Sequence, residues 1–259
     1  MLKNLPVIFT ICSLFIFGCK SKSENKTTGA ADPFYGNWIS INYRDSLNIY
    51  GSPGKIKNVD LDELIINYTA DSLCLNVEGV ETHVFKIIGK SATTFRINKF
   101  NQDEFTEFAI SSDGKELSYL YKKYNQKFRF FKAEPKYAVK ITNGWRTAAQ
   151  LYFNELTFAA NYLLLNGDGK PASKVAFTSY GKIEGLQGYT EFSVCYQGDC
   201  RSMTDGDLIT LSDGASSDNY IYEWNKGVLI FYSISNTALR DEMPHYEKAT
   251  EIFRFKKKM

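Results

Sequence analysis

The chain has 259 residues, with 31 Lys and Arg against 29 Asp and Glu and a formal net charge of +2. A balance this even, with Lys256-Lys257-Lys258 as its single basic run, speaks against a nucleic-acid partner, which would call for a basic stripe. Nineteen Phe and 17 Tyr with only six Pro supply apolar side chains for one large core or two small ones.

Residues 1–18 carry Lys3 and then an apolar run from Leu5 to Phe17. That run is shorter than the ~20 residues a bilayer-spanning helix needs, so it reads as an export signal. It ends Ile16-Phe17-Gly18-Cys19, a branched apolar residue, a loosely specified one, a small one and a cysteine. This resembles the lipobox of bacterial lipoproteins. The resemblance implies that Cys19 becomes the mature N-terminus and carries lipid, palmitate included, because a thiol is alkylated more readily than a hydroxyl. The alternative is an ordinary secretory signal that contains Cys19. Cys12 does not fit the pattern, since Ile11 is too bulky for the small-residue slot.

Residues 19–33 are polar, with nothing to bury, and read as a flexible tether that reaches ~20 Å. The same lipoprotein resemblance implies outer-membrane sorting, because Lys20 stands where Asp would retain the protein in the inner membrane. Lys20-Ser21-Lys22 also lacks the acidic run of surface-exported lipoproteins, which points to a periplasm-facing site.

Beyond the tether the chain matches itself at an offset of 124. Phe34–Trp38 faces Phe158–Tyr162, His83–Ile87 faces Asp207–Leu211, Phe108–Ser111 faces Tyr232–Ser235, and one residue later Phe128–Phe130 faces Phe253–Phe255. We read two tandem units, 34–132 and 158–259. Their apolar residues alternate with period two: Phe192, Val194 and Tyr196; Tyr220, Tyr222 and Trp224; Val228, Ile230, Tyr232 and Ile234. Turn signals at Ser112-Asp113-Gly114, Gly198-Asp199 and Ser212-Asp213-Gly214 separate the runs. The expected fold class is all-β, two antiparallel meanders of about eight strands each, short enough to close as small barrels without sticky edges.

Gly36-Asn37-Trp38 in the first strand and Arg129 in the last are similar to the lipocalin, or calycin, pattern of an opening G-x-W and a closing arginine. The resemblance implies a guanidinium packed over the indole at the closed end, Arg129 on Trp38, with Arg254 on Tyr162 as the weaker counterpart. Unit 2 departs from the pattern, with Ala160 for the glycine and Tyr162 for the tryptophan. The alternative is a two-sheet sandwich in which Trp38 is simply core.

Residues 133–157 join the units. Within them Trp145, Ala148, Ala149, Tyr152 and Leu156 fall at helical spacing, which predicts a short amphipathic helix whose stripe is core. Cys195 and Cys200 flank a Gly-Asp turn in an exported chain and are expected to form a structural disulfide, the alternative being two thiols at strand ends. Cys74, between Leu73 and Leu75, reads as a buried, inert thiol.

Signatures of catalysis are weak. His83 and His245, in different units, offer neither a histidine-rich metal site nor a Ser-His-Asp set, and read as surface residues. Gly89-Lys90-Ser91 lacks the rest of a P-loop. Asn166–Gly169 and Asp205–Asp207 do not continue into a calcium loop and read as hairpin turns. No catalytic residue, metal or cofactor is assigned. Two functions stand: a lipocalin-like barrel that binds a small apolar or amphipathic ligand at the membrane, or a membrane-tethered scaffold, inhibitor or assembly factor with filled barrels that meets another envelope protein. An open lumen would favour the first and a filled one the second. The segment Asn236–Lys248, with Pro244 among its charges, is expected to be a loop and a candidate lid or partner contact.

Overall fold

Period-two alternation becomes sixteen strands among the described residues of the computed structural model. These residues are 32–56, 62–67, 72–77, 81–98, 105–137, 147–197, 199–238 and 243–258. The export signal, Cys19, the tether up to residue 31, Trp145 and Gly198 lie outside them.

The first barrel comprises β1 (Gly36–Ser40), β2 (Asp62–Asn67), β3 (Ser72–Val77), β4 (Glu81–Lys90), β5 (Thr94–Asn98), β6 (Phe105–Ile110), β7 (Glu116–Tyr121) and β8 (Gln126–Lys132). Each pairs antiparallel with the next, and β1 closes on β8 with Trp38 opposite Lys132 and Ser40 opposite Phe130. In β6 the alternation is plain, with Thr106, Phe108 and Ile110 buried and Glu107 and Ala109 exposed. Full burial of each such Phe or Ile contributes roughly 1.5–3 kcal/mol.

The second meander comprises β9 (Ala160–Leu165), β10 (Pro171–Phe177), β11 (Ile183–Glu184), β12 (Glu191–Val194), β13 (Asp207–Ser212), β14 (Ser217–Asn225), β15 (Val228–Asn236) and β16 (Tyr246–Lys257). Its first and last strands pair, Tyr162 opposite Lys257 and Leu164 opposite Phe255. The seam lies between the short β11 and β12, where a Lys182–Glu191 bridge and the bonds Ile183 N to Thr190 O and Phe192 N to Gly181 O, both 2.8 Å, bring the edges together. An all-β tandem of two eight-stranded meanders is therefore the architecture.

The internal match holds at its ends and fails in the middle. Ser40 opposite Phe130 corresponds to Leu164 opposite Phe255, offsets of 164 − 40 = 124 and 255 − 130 = 125. By the second strand the offset is 111, since Trp38 faces Leu64 and Tyr162 faces Val175 (175 − 64). His83–Ile87 therefore lies in the fourth strand of its barrel and Asp207–Leu211 in the fifth of the other, while Phe108 sits in a sixth strand and Tyr232–Ser235 in a seventh. These two matches are corrected to coincidence. The cause is length: the first barrel spends residues 41–61 between its first two strands, where the second has a tight turn at 166–170.

Within the 41–61 connection lies α1 (Ile41–Tyr50), which low-propensity Asn, Asp, Ser and β-branched Ile disguise in the sequence. The Ser40 side chain accepts from Tyr43 N, and Gly51 ends the helix at φ 65°, its N–H bonded to Leu47 O. Between the barrels, α2 (Ala148–Thr157) opens on a Thr147/Gln150 capping box. The expected stripe is partly right: Ala148 and Ala149 are buried and Tyr152 packs on the core, but Leu156 is exposed and Leu151, Phe153 and Asn154 are buried instead. A helix held between two barrels buries more than one stripe.

Faces in the second meander follow the pairing. Phe192, Val194, Tyr196, Tyr220 and Tyr222 are buried, and Trp224 packs against them. In β15 the core takes Leu229 and Phe231, so the row Val228, Ile230, Tyr232 and Ile234 is the outward one. Asn166–Gly169 is the expected hairpin turn, and Asn236 to Tyr246 is a connection whose residues 239–242 lie outside the description. Cys74 is half-buried rather than enclosed, paired with Val84 on the wall of the first barrel. Among the described residues no helix is long and apolar enough to cross a membrane.

Candidate functional site

The expected arginine closures are not made. Phe130 faces the first lumen, so its neighbour Arg129 turns outward, where it forms a forked pair with Glu116 at 2.9 and 2.8 Å. That pairing holds the Glu116 carboxyl below its usual range. The cation over Trp38 is Lys132, 5.4 Å from the ring centroid, because Lys132 is the cross-strand partner on the same face. Arg254 likewise turns out to Glu251, 2.6 Å away, while Tyr162 packs among Phe177, Trp224 and Phe255.

What the two openings do share escaped the residue-type pattern. The Trp38 indole N–H donates to Phe34 O, and the Tyr162 hydroxyl donates to Phe158 O, each at 2.8 Å and each four residues back. Both rings are fully buried. A polar tip on a large ring at the same strand position was the readable signal.

Packing of rings fills the lumen of each barrel at the level of these residues. In the first, Phe34, Phe95, Phe108 and Tyr119 follow one another at centroid distances of 5.1, 4.8 and 4.9 Å. In the second, Phe177 touches Tyr162, Phe192 and Phe255 at 5.5, 5.3 and 5.4 Å. These are contact distances for aromatic pairs.

Polar chemistry concentrates where the barrels meet. Cys195 and Cys200 are joined, as expected, but the chain leaves β12 into α3 (Asp199–Ser202) rather than across a hairpin. This bridged segment presents three groups to the junction. Tyr196 accepts through its carbonyl from the Tyr43 hydroxyl of α1 at 2.6 Å, and its own hydroxyl reaches Asn154 Oδ1 at 2.9 Å. Arg201 donates to Ile56 O. Asp207, expected in a turn, begins β13 and accepts from Gly54 N at 2.6 Å, tying the first barrel's connection to the second barrel. A Cβ on Gly54 would stand 3.0 Å from both Gly206 O and Asp207 Oδ1, so this close approach favours glycine.

Burial shapes the ionisation of this junction. It raises the Asp207 carboxyl, an effect that bonds from Gly54 N and Ser52 oppose. It also drives the Tyr43, Tyr196 and Tyr222 hydroxyls up, so all three remain neutral donors. Among the described residues two buried polar atoms, Arg201 Nε and the Tyr222 hydroxyl, have no hydrogen-bond partner. On the other side of α2, buried Glu63 of β2 accepts from Asn37 Nδ2 at 2.6 Å and Ala149 N at 3.1 Å, placing a carboxylate at the helix N-terminus.

Beside the junction opens a cleft of about 630 Å³, walled by residues 50–52, 55, 204–207, 221–224 and 245–248. It includes His245 and part of the segment expected to act as a lid or contact. Among the described residues no cluster of three or more His, Cys, Asp and Glu side chains is placed to hold a metal. No family model, curated protein or solved structure matches the chain.

Proposed function

We propose that the protein is a non-catalytic envelope lipoprotein, anchored through Cys19 to the outer membrane and facing the periplasm, that acts as a rigid interaction scaffold for another envelope protein. The observation that carries this reading is the ring-on-ring packing in both lumens, which leaves the described interiors to side chains rather than to an apolar guest. The lipid anchor rests on the Ile16–Cys19 resemblance. With that anchor, the polar stretch after Cys19 would set the scaffold's reach.

Three measurements test it. Fatty-acid labelling should be lost in Cys19→Ala, and retained label would overturn the anchor. A naphthalene-sulfonate dye or a fluorescent fatty acid should show no saturable one-to-one binding, whereas saturation would return the argument to a lumenal ligand. A photo-crosslinking residue at Lys248, on the cleft wall, should capture one discrete envelope protein that the same residue at Lys115, on a far turn, does not. Capture at neither position would end the scaffold reading.

A further inference from the structure

We infer that the junction cleft is a binding site for an organic cation, a primary ammonium or guanidinium carried on an apolar stem. Its volume of about 630 Å³ lies inside the roughly 300–1,000 Å³ of small-ligand sites. Four carboxylates line it, Asp205, Asp207, Glu223 and Glu247, against the ammonium groups of Lys55 and Lys248.

Pairing decides which of these charges a ligand would meet. Glu223 is taken by Lys248 at 2.7 Å and by the Tyr232 hydroxyl at 2.6 Å. Asp207 is engaged by Gly54 N and lies in the fields of Lys55 and Arg201. Asp205 and Glu247, both exposed, have no ion-pair partner among the described residues. Two carboxylates on adjoining segments, which the Thr204–Tyr246 bridge joins, are thus left to a ligand.

The remaining surface favours the same charge. Tyr50, Trp224 and Tyr246 add aromatic side chains to the lining, and ring faces attract cations. Tyr222 also borders the cleft, but its hydroxyl, without a partner among the described residues, is sealed from it. The ammonium would sit beside Asp205 and Glu247 while the stem lies along the rings. A neutral or anionic guest would leave Asp205 and Glu247 facing apolar or like-charged atoms.

The site does not depend on the scaffold reading, because cross-linking can fail while cation binding holds. The full chain in detergent is titrated calorimetrically with 1,5-diaminopentane, with 1-pentanol as the uncharged control and with an acetylated, amidated Gly-Lys-Gly peptide. Saturable one-to-one binding of the diamine and none of the alcohol is expected. If the peptide binds about tenfold tighter than the diamine, the source is a partner's lysine, and equal binding identifies a free amine. The double variant Asp205→Asn/Glu247→Gln should weaken binding about tenfold or more. Tyr222→Phe is the control: it removes a sealed hydroxyl that lacks a partner among the described residues, and should leave binding unchanged and the melting temperature unchanged or higher. Equal binding of alcohol and diamine, no saturable cation binding, or full affinity in the double variant would overturn the site.

Discussion

Replacing Tyr162 by Phe removes one oxygen and leaves the ring, which makes it the sharpest probe of the barrel openings. The hydroxyl donates to Phe158 O at 2.8 Å, and Tyr162 is 0% exposed, so water cannot take over the bond. Loss of a buried donor leaves that carbonyl short of a partner, costing ~1–3 kcal/mol. For a chain of this size each kcal/mol lowers the melting temperature by ~2–4 °C, so Tyr162→Phe should melt several degrees lower. The control is Tyr232→Phe, whose hydroxyl meets Glu223 at 2.6 Å on the half-exposed outer wall, where water replaces the lost bond. Thermal denaturation followed by circular dichroism compares the two. Equal shifts would refute the argument, because they would mean that burial at the strand opening adds nothing to the worth of this bond.

Arg129→Ala should cost less than ~1 kcal/mol, since its pair with Glu116 is a solvent-exposed one, and a larger loss in urea unfolding would restore a closing role. Lys132→Gln should cost about as much or more, ~0.5–2 kcal/mol, by removing the cation over Trp38. Gly54→Ala should destabilise by ~1–3 kcal/mol, because its methyl group would crowd Gly206 O and separate the junction; hydrogen exchange rising at residues 52–56 and 204–207 is the expected readout, and unchanged exchange would count against the tie. The Glu63 carboxyl is raised above the usual 4.5 by burial, so the native chain binds more protons than the unfolded one above that pH, and this group's contribution falls as pH rises through the raised value. Glu63→Gln should therefore gain on the parent in melting temperature as pH rises above the usual 4.5, and a pH-independent difference would contradict the assignment.

Alternation made the strands readable, and the same alternation, applied one step further, would have corrected the arginines. Phe128-Arg129-Phe130 already says that an arginine between two inward rings faces out, and the family pattern outweighed that local rule. The residue that does lie over Trp38, Lys132, can be identified only once the register of β1 on β8 is known, which is long-range information. Helix α1 was hidden for a similar reason: its propensity is poor, and its stability comes from Tyr43 and Leu47 buried against the second barrel's core cluster. The disulfide was legible from the spacing of Cys195 and Cys200 and from an opening that resembles an export signal. Its setting at the mouth of α3 was not, because Gly198-Asp199 is turn-like in either a hairpin or a helix entry.

The two barrels place their long connections at different points of the same meander. The first inserts residues 41–61 after its first strand, where the second has a five-residue turn at 166–170; the second inserts 195–206 after its fourth strand, where the first needs only residues 91–93. Neither insertion is required to close its own barrel, since the other barrel passes the same corner with a short turn. Both instead converge on one place, with Gly54 and Ile56 from the first insertion bonded to Asp207 and Arg201 at the end of the second. Insertions that serve neither barrel alone but meet each other explain why residues 32–259 behave as one compact unit rather than two beads. They also explain where the cleft opens: the two insertions bring Tyr50, Lys55 and Asp205 to the junction, beside the ends of β14 and β16, which supply Glu223, Trp224 and Glu247.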